Sequence, residues 1–339
     1  MATIKDVAQM AGVAISTASA ALNRSAPVSD EVIAKVEAAV REIGYVPHGG
    51  ARSLRMGRSR LIGLILPDIT NPHFAKVAKV VESACLSAGY MVAVYSTSED
   101  HDRERQILTM MRMQRVEGLI IIPTRSDTEH GARVIDQIHV PTILLDSFIE
   151  GLPYDVIKLD NIAAGRIATE HLIGLGHTRI AVTVGRDNIV TGEHRLQGYR
   201  QALAAHGLSV EQDLLLDGRF DQTLAHDSTM ARMQQPHPPT AIFALSNMMT
   251  LGVLNALHEL GLAVPRDVSV IGIDDFDFAN IMNPPPTVVA APVLEMAQTA
   301  IAALLTEIAH KQPPTGAQTV FSPHLIIRKS CAARPLEAG

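Results

Sequence analysis

Tryptophan is absent from the 339-residue chain, and only 4 % of its residues are aromatic. Surfaces that grip single-stranded nucleic acid stack its bases on aromatic platforms, so the composition argues against one here. Cysteine is scarce as well. Cys85 and Cys331 are too few for a disulfide framework and are expected as reduced thiols in a cytoplasmic protein. No apolar run approaches the roughly 18 residues of a membrane span, so no membrane partner is expected. The opening MATIKDVAQM lacks the basic stretch and apolar core of a secretory signal.

The usual catalytic signatures are missing too. There is no G-x-S-x-G, no H-E-x-x-H, no Walker loop and no pair of cysteine ligands. Gly174-Leu175-Gly176 closes a helical stretch instead of following a strand, which is the wrong setting for a dinucleotide loop. The fourteen histidines show no ligand spacing, and His171 and His177 read as core or loop residues. Asp274-Asp275 has no third ligand close in sequence. The expectation is a protein that is not an enzyme and uses no metal and no cofactor.

What is present is a large globular core. Apolar residues make up 47 % and charged residues 19 %, which excludes a disordered chain. At about 150 residues per domain the length suggests two or three domains. The formal net charge is −6, but it is unevenly spread. Residues 1–60 carry eight basic and five acidic side chains, and the rest of the chain is acidic. A basic head on an acidic body suits an anionic partner at one end.

The first sixty residues read as three short helices. Thr3 caps the first, with Asp6 reaching back to it, and Ile4, Val7, Ala8 and Ala11 form its apolar stripe. Gly12 ends that helix, and a second covers residues 14–22 with Ala18, Ala21 and Leu22 turned inward. Ser29 caps a third helix with Asp30 and Glu31 in its first turn, a stripe of Val32, Val36, Ala39 and Ile43, and a stop at Gly44. Two helices joined at a glycine and followed by a third are the layout of a helix-turn-helix. The pattern alone also fits an ordinary three-helix cap.

From residue 61 onward, short apolar runs alternate with amphipathic helices. The runs are 61–66, 91–96, 118–123 and 142–146, then 179–184, 241–245 and 268–274. Helices are predicted over 74–88, 101–115, 193–206 and 249–260. Such alternation predicts parallel sheets covered on both faces, with ligands beyond the carboxyl ends of the strands.

Particular residues then add a resemblance. TIKDVAQMAGVAISTASAALN, REIGYVPHGGARSLRMGRSRLIGLILPD, NPHF at 71–74, GHTRIAV at 176–182, HRLQGYRQAL at 194–203, VPRDVSVIGIDD at 264–275, PPPTVV at 284–289 and LIIRKS at 325–330 follow one another in the order and spacing of a known family. The chain resembles the lac repressor/galactose repressor family of bacterial transcription regulators over nearly its full length. The resemblance implies an α/β fold. An all-α helix-turn-helix head over 1–46 would be joined by a hinge helix within 47–60 to a two-lobed, periplasmic-binding-protein-like effector domain over 61–339. Lobe 1 would span about 61–160 with 291–322, and lobe 2 about 161–290 with 323–339. It further implies a homodimer on double-stranded operator DNA, answering to a small effector.

On that resemblance Ile15, Ser16 and Ala20 of the second helix meet base edges. Two of them offer only a methyl contact to thymine, and none is an Arg or Gln able to grip a base with two hydrogen bonds. Thr3, Thr17, Asn23 and Tyr45 would hold phosphates, which fixes register without reading sequence. In the hinge, Ala51, Arg52 and Arg55 would face the groove and backbone, and Leu54 would wedge a base step open in the minor groove. Ala14 stands where the family has a capping serine, and Gly49 and Gly50 weaken the hinge helix.

The effector residues expected at strand ends are His73, Phe74, Asp146, Thr191, Arg195, Phe220, Asn247 and Asp274. An aromatic wall with a facing Arg195 and Asp274 suits a sugar or similar polar metabolite, and also suits an ion pair closing the lobes. Met248 replaces a family carboxylate, and Ala290-Ala291 a polar pair. A solute-binding transport protein would share the body but not the basic head. A regulator without effector control would share both. The tail after Arg328 holds no leucine heptads, which points to a dimer formed through helices such as 74–88.

Overall fold

The structure is a computed structural model that describes residues 2–24, 26–45, 59–135, 137–149, 151–311 and 313–334. It divides into two units, Met1–Ser59 and Arg60–Gly339. The expected hinge residues Ala51, Arg52, Leu54 and Arg55 lie outside the described residues.

The first unit holds α1 (Ile4–Ala11), α2 (Ile15–Asn23) and α3 (Asp30–Ile43). At the start of α1 the Thr3 backbone N–H and hydroxyl both donate to Asp6 Oδ2, at 2.7 and 2.8 Å. Gly12 and Gly44 end their helices at φ of 65° and 62°, left-handed values that glycine adopts without strain. Ala14 precedes α2 with no side-chain cap bond. Val7, Ala8, Ala18, Ala21, Val36 and Ala39 make the small core. Four of those six are alanines, and their size lets three short helices approach closely.

The second unit contains two six-stranded sheets. Sheet A is built from β1 (Leu61–Leu66), β2 (Met91–Ser96), β3 (Gly118–Ile121), β4 (Thr142–Asp146), β5 (Asp155–Leu159) and β11 (Gln318–Phe321). Its order is β11-β5-β4-β3-β1-β2 and every pairing is parallel. Helices α4 (Pro72–Ser87), α5 (His101–Met113), α6 (Thr128–Ile135) and α11 (Val293–His310) belong to this lobe. Sheet B contains β6 (Ile180–Val184), β7 (Leu215–Asp217), β8 (Ala241–Ala244), β9 (Ser269–Ile273), β10 (Thr287–Ala290) and β12 (His324–Ile326). Its order is β12-β10-β9-β8-β6-β7, parallel except for β12 against β10. Helices α7 (Asn161–Gly174), α8 (Val190–Ala205), α9 (Gln222–Met233) and α10 (Asn247–Glu259) cover it. The chain passes from one sheet to the other after β5, after β10 and after β11.

The central strands read as unbroken apolar runs because helices cover both faces. Ile62, Leu64, Ile65 and Leu66 of β1 are fully buried, as are Ile242, Phe243 and Ala244 of β8. Burial also pushes the Cys85 and Cys331 thiols up to about 11, so neither is a thiolate nucleophile near neutral pH. Among the described residues no helix is long and apolar enough to cross a membrane.

Helix starts differ from the sequence reading. The helices expected from 74, 193 and 249 begin at Pro72, Val190 and Asn247. Periodicity detects the buried stripe, whereas the start is set by groups outside it. Asn71 accepts from the His73 N–H at 3.0 Å with Pro72 in the first turn. Ser246 accepts from the Met249 N–H at 3.2 Å. Arg195 therefore lies in the second turn of α8 and does not open the helix.

Candidate functional site

The residues expected to meet partners and described in the structure fall on two surfaces, one in each unit. In the head, α2 turns Ala18 and Ala21 into the core and leaves Ile15 and Ser16 exposed at its amino end. Ile15 keeps 47 % of its surface, as does Met10 of α1. Thr17 and Ala20 are half-buried on the same helix, and Thr3 is exposed. The Asn23 amide donates to the Ser19 carbonyl at 2.8 Å, which leaves its oxygen as the outward acceptor. Tyr45 is half-buried against the head core.

In the second unit the carboxyl ends of both sheets face one cleft of about 670 Å³, mouth included. All eight residues expected at the effector site line it. Lobe 1 contributes His73 and Phe74 from the first turn of α4 and Asp146 from the end of β4. Lobe 2 contributes Thr191 and Arg195 from α8, Phe220 after β7, Asn247 at the start of α10 and Asp274 after β9. Asp146, Phe220 and Asp274 have φ of 65°, 61° and 69°. Left-handed backbone at non-glycine residues is uncommon, and its gathering at strand ends around one cleft is characteristic of a functional site.

Arg195 is only 4 % exposed. Its Nε donates to Asn161 Oδ1 and its Nη1 to the Leu245 carbonyl, both at 2.7 Å. Asp274 Oδ2 lies 4.0 Å from Nη1. The guanidinium is thus anchored within its own lobe through Nε and Nη1. Two glycines make this anchoring possible. A Cβ on Gly165 of α7 would fall 2.0 Å from the Arg195 carbonyl oxygen, and one on Gly198 of α8 would fall 2.1 Å from that of Ile162. The two helices therefore touch backbone to backbone where Arg195 is held.

Several contacts join the lobes across the cleft. Asn247 Nδ2 donates to Asn71 Oδ1 at 2.7 Å. His73 Nδ1 stands 3.4 Å from Asp274 Oδ1. The Ser126 N–H donates to the Asn188 carbonyl at 2.8 Å, and Ser126 Oγ accepts from the Val190 N–H at 3.2 Å. Arg186 Nη2 pairs with the Glu99 carboxylate. Sequence reading missed Asn71, Glu99, Thr124, Ser147, Arg186 and Ser246, which also line the cleft. Position was the signal that could have found them, since each follows a strand by at most five residues.

Two buried polar atoms in the cleft have no hydrogen-bond partner among the described residues, Thr124 Oγ1 on lobe 1 and Asp274 Oδ1 on lobe 2. Buried polar atoms are nearly always satisfied, so a partnerless hydroxyl on one lobe and a carboxylate on the other whose Oδ1 has only the His73 ring nearby suit a ligand with hydroxyls. Burial raises the Glu99 carboxyl above the usual carboxylate range, with the Arg186 charge opposing. No cluster of three metal-ligating side chains occurs among the described residues.

Comparison with known proteins agrees with this geometry. The model of bacterial regulatory proteins of the lacI family matches residues 3–48, and that of the periplasmic binding protein-like domain matches residues 169–331. The ribose operon repressor of Escherichia coli (strain K12) is 36 % identical over 310 residues, covering 91 % of this chain and 93 % of that protein. A crystal structure of the lac repressor dimer bound to operator and the anti-inducer ONPF has a TM-score of 0.86 at 27 % identity. It covers 98 % of this chain and 99 % of that one. A lacI-family regulator from Enterococcus faecium with bound ribose has a TM-score of 0.72 at 25 % identity, covering 81 % of this chain and 100 % of that one.

Proposed function

The chain belongs to the lacI family of bacterial regulatory proteins and is a DNA-binding transcriptional repressor under metabolite control, and from that premise we propose that a neutral sugar bound between its lobes sets its affinity for a pseudopalindromic operator. The observation that carries the sugar reading is the buried Thr124 hydroxyl, which has no hydrogen-bond partner among the described residues, together with the Asp274 carboxylate of the other lobe, whose Oδ1 has the His73 ring 3.4 Å away. Phe74 and Phe220 supply apolar faces for the carbons of a ring, and Asn247 adds a polar group. The relatives named for ribose or bound to it point the same way.

On the DNA side the protein acts in the cytoplasm as a homodimer, because a two-fold protein presents one helix to each half-site. The structure bound to operator is a dimer of a similar chain. Ile15, Ser16 and Ala20 face bases, while Thr3, Thr17, Asn23 and Tyr45 hold backbone. In the hinge, Ala51, Arg52, Leu54 and Arg55 occupy the minor groove, with the two leucines wedged at the centre. Exposed Ile15 meets a thymine methyl, so half-sites carry thymine opposite the start of α2. His73, Thr191, Arg195, Asp146 and Asp274 complete the effector site. Effector binding changes the orientation of the lobes, and with it the spacing of the hinges. A coupling of about 1–3 kcal/mol between the two ligands is ordinary for such a device.

The test is a thermal melt of the full chain with D-ribose, other neutral pentoses and hexoses, and the matching sugar acids. A ligand that binds only the folded state raises the melting temperature. The expected result is a rise with a neutral sugar that is lost in Arg195→Ala. A rise with sugar acids alone, or one that survives in Arg195→Ala at the same ligand concentration, removes this reading.

A further inference from the structure

We propose that Glu99 is the residue that bars anionic ligands from the cleft, by holding Arg186 in an ion pair across the lobes. The inference rests on the cleft being the effector site and goes beyond it by assigning selectivity to one side chain.

Arg186 follows β6 in lobe 2 and Glu99 follows β2 in lobe 1, 87 residues apart in sequence. Both line the cleft. Arg186 is gripped twice: Nη2 donates to the Glu99 carboxylate, and Nη1 donates to the Glu99 carbonyl at 3.3 Å. The turn that achieves this is strained. Ser98 and Glu99 have φ of 53° and 58°, two consecutive non-glycine residues in the left-handed region. It is pinned at its base by the Glu99 N–H, which donates to both the Pro67 carbonyl and Thr97 Oγ1 at 3.2 Å. Strain retained in so anchored a turn has to be supported by what it positions, and what it positions is both oxygen groups of Glu99 against one guanidinium.

The consequence is a matter of charge. The cleft lining holds three carboxylates, Glu99, Asp146 and Asp274, against two guanidiniums. Arg195 is buried and already holds Asn161 through Nε and the Leu245 carbonyl through Nη1, whereas Arg186 is the more open of the two. Arg186 is therefore the cation best placed to receive a phosphate or carboxylate, and a planar fork of donors suits either group. Glu99 occupies that fork with a charge from the protein itself. A sugar phosphate or sugar acid would have to displace Glu99 and leave its carboxylate half-buried and unpaired, whereas a neutral sugar disturbs nothing.

Inorganic phosphate is the probe, so the test does not depend on knowing the effector. Full-length wild type, Glu99→Gln and the double variant Glu99→Gln/Arg186→Gln are melted against phosphate, with sodium chloride at matched ionic strength as reference. D-ribose and the other neutral pentoses and hexoses are run in parallel. In Glu99→Gln, half-saturation is expected at about tenfold lower phosphate than in wild type, the worth of one charge-assisted bond. The gain should vanish in the double variant. Equal phosphate responses in all three proteins overturn the proposal, as does a gain that persists without Arg186, because the anion then binds elsewhere. Should Glu99→Gln fail to melt cooperatively, Glu99→Ala serves in its place. A phosphate gain specific to Glu99→Gln, with no response in any variant to D-ribose or to the other neutral pentoses and hexoses, removes the sugar reading and leaves the barrier standing. A D-ribose response without the phosphate gain does the reverse.

Discussion

In the head, the side-chain hydrogen bonds of Thr3 with Asp6, Asn23 with Ser19 and Lys35 with Glu31 join residues three or four apart. In the cleft, Arg195 reaches 34 and 50 residues along the chain, Arg186 reaches 87 and Asn247 reaches 176. The difference decides what each surface can be read from. A reading helix is specified by its own turn and its neighbours, so its chemistry follows from local sequence. The chemistry of a cleft side chain depends on which partner the fold brings to it, and that partner can cancel the charge the side chain seems to offer.

The largest effect should come from breaking the long-range part. Gly165→Val would drive a branched side chain into the Arg195 carbonyl, where a bare Cβ already falls at 2.0 Å. Backbone cannot yield as a flexible side chain can, so α7 and α8 must separate. Overpacking of this kind costs about 1–3 kcal/mol, and the loss here should lie at or above the upper end. In urea melts the transition of the second unit should move to lower denaturant, and the melting-temperature response to sugar should disappear. The helical signals of the head should stay in place. An unchanged melt would mean that the close approach of the two helices does not hold Arg195.

Folding lowers carboxyls in both regions, among them Asp100 and Asp267 of the second unit, but one buried carboxyl of the second unit should respond to pH in the opposite sense. In the head, the Thr3 N–H and hydroxyl hold the Asp6 carboxyl below its usual range, and Lys35 does the same to Glu31. Groups lowered by folding add stability above their ordinary range, and that stability is lost as the pH falls through their folded values. In the second unit, burial and then the Asp155 carboxylate push Glu307 up to about 7, with the Thr142 N–H pulling the other way. Folded protein then keeps a proton that the unfolded chain has released. Stability should fall as the pH rises from the ordinary carboxylate range to about 7, then level off. Replacing Glu307 by Gln should remove that slope, so the variant should gain on wild type between about pH 5 and pH 8 in paired thermal melts. Parallel pH curves for the two proteins would show that Glu307 titrates normally.

The same contrast explains how far sequence reading went. The three head helices, and the glycine stops of the first and third, were legible because their stripes and turns are local, although Ser29, expected to cap the third, makes no side-chain cap bond. Strands over 61–66 and 142–146 were legible because a doubly covered sheet demands unbroken apolar runs, and 91–96, at the edge of sheet A, because its apolar run stands between predicted helices. The eight cleft candidates came from a topological rule, that ligands gather beyond the carboxyl ends of parallel strands, together with the family resemblance. That rule gives location and not partnering. It could place Arg195 and Asp274 at the cleft but could not show Asn161 and the Leu245 carbonyl taking the guanidinium first. Glu99 and Arg186 escaped because neither stands in a motif, and only the meeting of two lobes makes them a pair.

The smallest effect tests the local side of the comparison. Ala14 precedes α2 in extended geometry, with φ of −65° and ψ of 152°, the backbone that a capping side chain needs. No side-chain cap bond forms there, so an amino-terminal N–H of α2 goes without that partner. Ala14→Ser supplies an oxygen in the right place without disturbing the buried face, since Ala14 is exposed. A serine cap in place of alanine is worth about 1 kcal/mol. The gain should appear in the head as slower amide exchange at Ser16 and Thr17, the positions a cap at 14 can reach. The second unit, folded on its own long-range contacts, should show no change in its melt. If the cap slowed exchange in the second unit as well, the head could no longer be treated as a locally determined element.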